Sequence, residues 1–191
     1  MIKRDSLMPL EVYARERNAF RAKVLEHKKR RKVHLGEHVA LDFEDELTIR
    51  YQVQEMLRIE RIFEDQGIQG ELDAYNPLIP DGGNWKATML IEYPDAGERR
   101  RMLALLKGVE RRVWVQVDEC GQVFAIADED LERENEEKTS SVHFLRFELT
   151  AGMRARLRSG AKVTVGVDHP QYRASAQLTS EVRSALAADL N

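Results

Sequence analysis

The clearest pattern in the chain lies at residues 47–66, LTIRYQVQEMLRIERIFEDQ. Ile49, Val53, Met56, Leu57 and Phe63 recur at three- and four-residue intervals, the spacing of one buried helical face, and predict a long central helix. Gln52 and Glu60 fall inside that face, with Glu55 beside them. A carboxylate within an apolar stripe is costly unless it is paired or hydrogen-bonded, so these residues mark a place for a polar pocket. Upstream, Pro9 suits a first helical turn, and Leu10, Tyr13, Phe20 and Val24 trace a first helix interrupted by Arg17. Between the two helices, Val39, Leu41 and Phe43 alternate with Ala40 and Asp42 as a half-buried strand does, after a bend at Gly36 and Glu37. Glu44, Asp45 and Glu46 then place negative charge at the start of the central helix, where its dipole favours it. Gly67 is expected to end that helix, and a shorter helical piece from Ile68 to Tyr75 to follow it.

Downstream the period changes to two. Residues 86–93 read as a strand after the irregular loop NPLIPDGGNW, and Asp95 with Glu98 resembles a capping box for a helix through Met102, Leu103 and Leu106. Val113, Val115 and Val117 pair through DECG with residues 123–127. Residues 142–149 form another strand, Thr150 caps a short helix, and residues 163–167 lead through DHPQ into a strand from Tyr172 to Leu178. Thr179 or Ser180 caps a closing helix. This order of helices followed by neighbouring hairpin strands predicts an α+β fold. It is a single domain of residues 1–191, mainly an antiparallel sheet packed against the long central helix and the N-terminal helix. The helices occupy about 1–75, the sheet-rich part about 85–178 and the closing helix about 180–190.

Composition narrows the class without naming a reaction. Hydrophobic residues make up 42% and charged residues 33%, as in a soluble globular chain. No run approaches a membrane span, the first residues lack the apolar core of a signal peptide, and a single cysteine agrees with a reducing cytoplasm. The net charge of −3 conceals a basic head: residues 1–33 hold 11 Lys+Arg against 4 Asp+Glu, and the remainder 19 against 29. Lys28, Lys29, Arg30, Arg31 and Lys32 close the first helix. Cations there complement the macrodipole, and nucleic-acid binding is the disfavoured alternative because no aromatic residues are interleaved. Residues 128–137 carry seven acidic side chains in ten and read as an exposed loop.

The candidate ligand pocket comprises Gln52, Glu55, Glu60, Trp85 and His143. His143 shares a strand face with Leu145, Phe147 and Leu149, so it points to the core and could meet Glu60 there. Trp85 sits at the end of a Gly/Pro-rich loop, residues 76–86, of the kind that carries binding residues, or else plugs the core. Against each stands a structural reading: Glu60 held by an arginine, His143 satisfied within the core, Asp168-His169 as turn chemistry and Cys120 as a lone thiol. No Glu-x-x-His spacing, zinc-type His/Cys cluster, phosphate-cradling glycine motif or hydrolase elbow occurs. No metal and no cofactor is therefore expected, and no catalytic residue can be assigned.

RYQVQEMLRIERI at residues 50–62, YNPLIPDGGNWKATMLIEY at 75–93, SVHFLRFEL at 141–149 and VDHPQY at 167–172 together resemble a family of uncharacterised bacterial proteins, a domain of unknown function. Its members are often encoded beside a rubrerythrin-like protein and an iron–sulfur oxidoreductase. The resemblance implies an accessory, partner-binding protein of a redox or peroxide-stress system, and it leaves a homo-oligomer open. A small enzyme or ligand-binding protein with a polar pocket around Gln52 and Glu60 is the alternative drawn from the residues themselves.

Overall fold

The computed structural model describes residues 1–135 and 137–191; Glu136, within the acidic stretch, lies outside the described residues. Among the described residues, six α-helices and nine strands follow in the order α1 (Leu10–Lys29), β1 (Lys32–Leu35), β2 (Val39–Phe43), α2 (Glu46–Ile59), α3 (Asp65–Tyr75), β3 (Asn84–Ile91), α4 (Ala96–Leu105), β4 (Val113–Val117), β5 (Val123–Phe124), β6 (Ile126–Ala127), β7 (Val142–Glu148), α5 (Ala151–Arg158), β8 (Val163–His169), β9 (Tyr172–Gln177) and α6 (Ser180–Ala187). The α+β class is as expected, and every strand pairing is antiparallel.

Two sheets form, ordered β1-β2-β3-β7-β6 and β5-β4-β8-β9. They are joined along one side because residues 123–127 pair first with β4 and then with β7. On the other side the Tyr172 hydroxyl donates to the Leu35 carbonyl and accepts from the His38 amide, tying β9 to β1. The inward residues follow the period-two pattern of the strands: Trp85, Ala87, Met89 and Ile91 from β3, Leu145 and Phe147 from β7, and the valines of β4 and β8. Phe43 packs against Trp85 and Phe147. Helices α5 and α6 contribute Met153, Leu157, Val182 and Leu186 to the same core. The Trp85 indole donates to the Leu186 carbonyl at 2.9 Å, which satisfies the one polar atom of a fully buried ring. Trp85 thus sits in the structure as a core plug.

The helices α2 and α3 form a second, smaller apolar cluster with the N-terminal residues, built on Ile2, Ile49, Val53, Leu57 and Leu72. Asp45 caps α2: its carboxylate accepts from the Thr48 amide while the Thr48 hydroxyl accepts from the Asp45 amide, each at 2.9 Å. The expected helix 47–66 stops early, and the shorter piece expected at 68–75 begins sooner, as α3 at Asp65. Helix α2 ends at Ile59, and the Ile62 amide reaches back to the Leu57 carbonyl across Arg61, whose φ is 53°. This is the Schellman arrangement with arginine in place of the usual glycine, so its signature is missing from the sequence. Gly67 lies inside α3 rather than ending α2, and a side chain there would meet the Ile62 Cγ2 at 2.6 Å. Phe63, expected on the buried face, is 67% exposed.

Candidate functional site

The expected pocket on α2 does not form. Glu60 is exposed at the end of the helix, Gln52 is half-buried, and neither meets His143. The buried glutamine of this helix is Gln54, which accepts from the Met8 amide and donates to the Met8 carbonyl, pinning the N-terminal segment. Glu55 is the hub of a brace between α1 and α2. It takes two hydrogen bonds of 2.7 Å from Arg17 and one of 2.7 Å from the Tyr13 hydroxyl, with Arg58 at 3.3 Å. The Arg17 contact, helped by Tyr13 and Arg58, holds the Glu55 carboxyl down at about 2, while burial and the facing carboxylate raise the Tyr13 phenol. These groups already satisfy one another, and the arrangement is structural.

His143 is fully buried, as its strand face required. Its Nδ1 lies 2.6 Å from Asp128, and its Nε2 lies 3.0 Å from both the Thr139 hydroxyl and the Ser140 carbonyl. The sequence of hydroxyl, imidazole and carboxylate has the connectivity of a nucleophile–base–acid relay. Thr139 is only 1% exposed, however, so a substrate has no access to the hydroxyl. The chemistry available is anchoring: Asp128 and Thr139 fasten the acidic loop to β7 through one imidazole. In the same loop Arg133 is held by Asp130 and lies 4.6 Å over the Phe144 ring.

The basic cluster at the end of α1 is mostly committed internally. Arg31 is buried, donates to the Phe43 and Glu44 carbonyls, and pairs with Asp189 and Asp45. Lys28 and Lys32 both approach Asp42, and Lys29 pairs with Glu26. Arg30 alone of the five has no ion pair among the described residues. The basic head and the acidic body thus attract each other within one fold.

The site the structure does build lies on the outer face of β3 and β7. A cavity of about 270 Å³ is bounded by Pro77 and Leu78 of the loop after α3, by Phe144 and Arg146 of β7, and by Glu129 and Asp130 of the acidic loop. Its lining is mostly carbon, with two polar groups of interest. Glu44, 2% exposed, turns its carboxylate to the hydroxyls of Thr48 and Thr88, the latter at 2.6 Å. Lys86 is half-buried and donates to the Pro77 carbonyl; burial pulls its ammonium below the usual lysine range. Neither makes an ion pair among the described residues. Arg146, by contrast, is held by Glu129 and Glu148, which raises its own value and lowers that of Glu129.

Of the loop 76–86 suspected of binding, Pro77, Leu78 and Lys86 do reach this cavity. Glu44, Phe144, Arg146, Glu129 and Asp130 were not among the candidates. The legible signal was the alternation of β3, which sends Lys86 outward beside Thr88. Among the described residues no group of three or more His, Cys, Asp and Glu side chains could hold a metal ion, and no helix is long and apolar enough to cross a membrane.

An antiparallel two-sheet α+β domain with a helical flank and an apolar cavity carrying a few polar groups is the class that these features define. The chain belongs to the family described as protein of unknown function (DUF3501), whose model matches residues 1–190. It is similar to a solved structure described as a novel protein of unknown function from Burkholderia pseudomallei K96243, at 55% identity, covering 100% of this chain and 99% of that one, with a TM-score of 0.95. No curated protein matches the chain.

Proposed function

We propose that this protein binds a small molecule in the cavity between β3, β7 and the loop carrying Pro77 and Leu78. The observation that carries this reading is a carbon-lined cavity of about 270 Å³ with a buried carboxylate, Glu44, and a half-buried amine, Lys86, on its wall. Small-molecule sites are typically concave and apolar, with a few convergent polar groups that set orientation. The ligand-binding reading thus moves from Gln52 and Glu60 to the outer face of β3 and β7.

Titration with an apolar fluorophore, 8-anilinonaphthalene-1-sulfonate, tests it. Binding that is saturable, and lost in Leu78→Trp without a fall in melting temperature, supports the site. Undiminished binding in that variant removes it.

The partner-binding reading is supported by a different feature and by the family resemblance. Ile59 and Phe63 stand 56% and 67% exposed at the corner between α2 and α3, beside a groove of about 720 Å³ lined by Leu7, Leu10 and Ile68. Exposed apolar patches of this kind mark protein contacts. The partner on this reading is an iron–sulfur oxidoreductase or a rubrerythrin-like protein. Co-purification with such a protein, abolished by Phe63→Ser, is the expected result; retention by the variant counts against the corner.

A further inference from the structure

The register of β3 and β7 sets Lys86 directly opposite Arg146. Their strand neighbours Trp85, Ala87, Leu145 and Phe147 turn inward, so the two cations stand together on the outer face. Like charges so placed repel. A guanidinium keeps its proton, whereas an ammonium gives one up readily when buried. Arg146 is also fastened by Glu129 and Glu148. Lys86 is half-buried, and its Nζ donates to the Pro77 carbonyl, which keeps the amine at the cavity wall. Burial is the main force on its ammonium and lowers it; Arg146 adds to this, and the carboxylates of Asp81, Glu129 and Glu148 offset part of it. The balance leaves an amine that deprotonates more easily than an ordinary lysine, beside an apolar wall of Leu78, Pro77 and Phe144.

We propose that Lys86 is a Schiff-base lysine, whose amine condenses with the carbonyl of an apolar aldehyde held with its hydrocarbon against Leu78 and Phe144. This rests on the ligand-binding reading above. The nitrogen lone pair attacks the carbonyl carbon, a C=N bond replaces the C=O bond, and the oxygen leaves as water with the two amine hydrogens. The step needs no oxidant or reductant. Lysines desolvated in an apolar pocket are the ones activated for such attack. A carbon-lined concavity also keeps away the water that hydrolyses an imine. Asp81, Glu129 and Glu148, which favour a cation at this nitrogen, stabilise the imine in its protonated form. A cavity of about 150 Å³ accepts benzene, so one of about 270 Å³ has room for a chain of roughly six to eight carbons.

The test is incubation of the full chain at neutral pH with hexanal or, separately, acetaldehyde, in the presence of sodium cyanoborohydride. This reagent reduces an imine to a stable secondary amine, which peptide mass mapping then locates. Lys86→Arg and Leu78→Trp are treated alike, with melting temperature and circular dichroism checked for each. In the unaltered chain hexanal is expected to label Lys86 at least about tenfold faster than any other lysine, a difference of about 1.4 kcal/mol in barrier. Acetaldehyde, which lacks the hydrocarbon, should show a much smaller preference. Lys86→Arg should leave only the slow labelling of surface lysines, and Leu78→Trp should bring hexanal labelling of Lys86 down to that level. Labelling of Lys86 by hexanal no faster than that of exposed lysines overturns the proposal. If the fluorophore still binds at Leu78, the ligand-binding reading then stands; if it does not, both fall. A preference for Lys86 that is equal for the two aldehydes, or unaffected by Leu78→Trp, also overturns the proposal, since the amine then reacts without the cavity. If Leu78→Trp fails to fold, the comparison of the two aldehydes on the unaltered chain decides the matter.

Discussion

Glu44 and Lys86 face each other across β2 and β3, one step beyond Phe43 and Ala87, and do not form an ion pair. The Glu44 carboxylate is held instead by two threonine hydroxyls, one from the first turn of α2 and one from β3. Thr88→Val removes one of these donors from a buried carboxylate while conserving shape. It is expected to cost about 2 kcal/mol, the penalty for leaving a buried charged group short of a hydrogen bond. Denaturant unfolding measures this. A loss below a few tenths of a kcal/mol would mean that Glu44 finds another partner.

The brace between α1 and α2 should be acid-sensitive. With its carboxyl held at about 2 in the fold, against an ordinary value of 4.5, Glu55 binds fewer protons folded than unfolded between those limits. Its stabilising contribution is therefore complete above about pH 4.5 and is lost as pH falls towards 2. Glu55→Gln is expected to cost about 2 kcal/mol at neutral pH, as charge-assisted hydrogen bonds from Arg17 and Tyr13 weaken. It should also flatten the decline of stability across that acid window. An unchanged slope would assign the acid sensitivity elsewhere.

Arg61 occupies a left-handed conformation, φ 53°, at the point where α2 turns into α3. Such a conformation strains residues with a side chain and suits glycine. Arg61→Gly is therefore expected to stabilise the chain by about 0.5 kcal/mol, the relief of strain being partly offset by the greater freedom of glycine when unfolded. A higher denaturant midpoint at unchanged slope is the predicted reading, and a lower midpoint would show that the Arg61 side chain makes a contact of its own.

His143 fastens Asp128 and Thr139, and the acidic loop between them supplies Glu129 and Asp130 to the cavity wall. His143→Leu leaves the Asp128 carboxylate without its imidazole partner and is expected to cost about 3 kcal/mol. Hydrogen exchange should accelerate at the Asp128 and Phe144 amides, which are bonded across this junction, and fluorophore binding should weaken with it. Unchanged exchange would show that Arg133 and the β6–β7 pairing hold the loop alone.

The elements with a clean period were legible in the sequence. The β4–β5 and β8–β9 hairpins, the Thr150 and Thr179 caps and the inward face of β7 form where the alternation and turn residues placed them. The central helix was misread because its break depends on Arg61, a residue that hides the turn, and because Phe63 continues the apolar spacing by coincidence. The site was misread for a related reason. Glu60 interrupts an apolar stripe only if the helix continues to Phe63; once α2 stops at Ile59, it is a solvated end residue. Glu44, a carboxylate that is buried, looked like one of three acids at a helix start. Its burial depends on Thr88 and on the register between β2 and β3, and no local pattern encodes either.

The central claim is that the outer face of β3 and β7 is the binding site. Amide and side-chain NMR mapping of the 22.1 kDa chain during titration with 8-anilinonaphthalene-1-sulfonate tests it most directly. The account predicts saturable shifts centred on Leu78, Lys86, Phe144 and Arg146, extending to Glu129 and Asp130. Shifts centred on Ile59, Phe63 and Ile68, with the β3–β7 face silent, would contradict it and place the binding surface at the corner between α2 and α3.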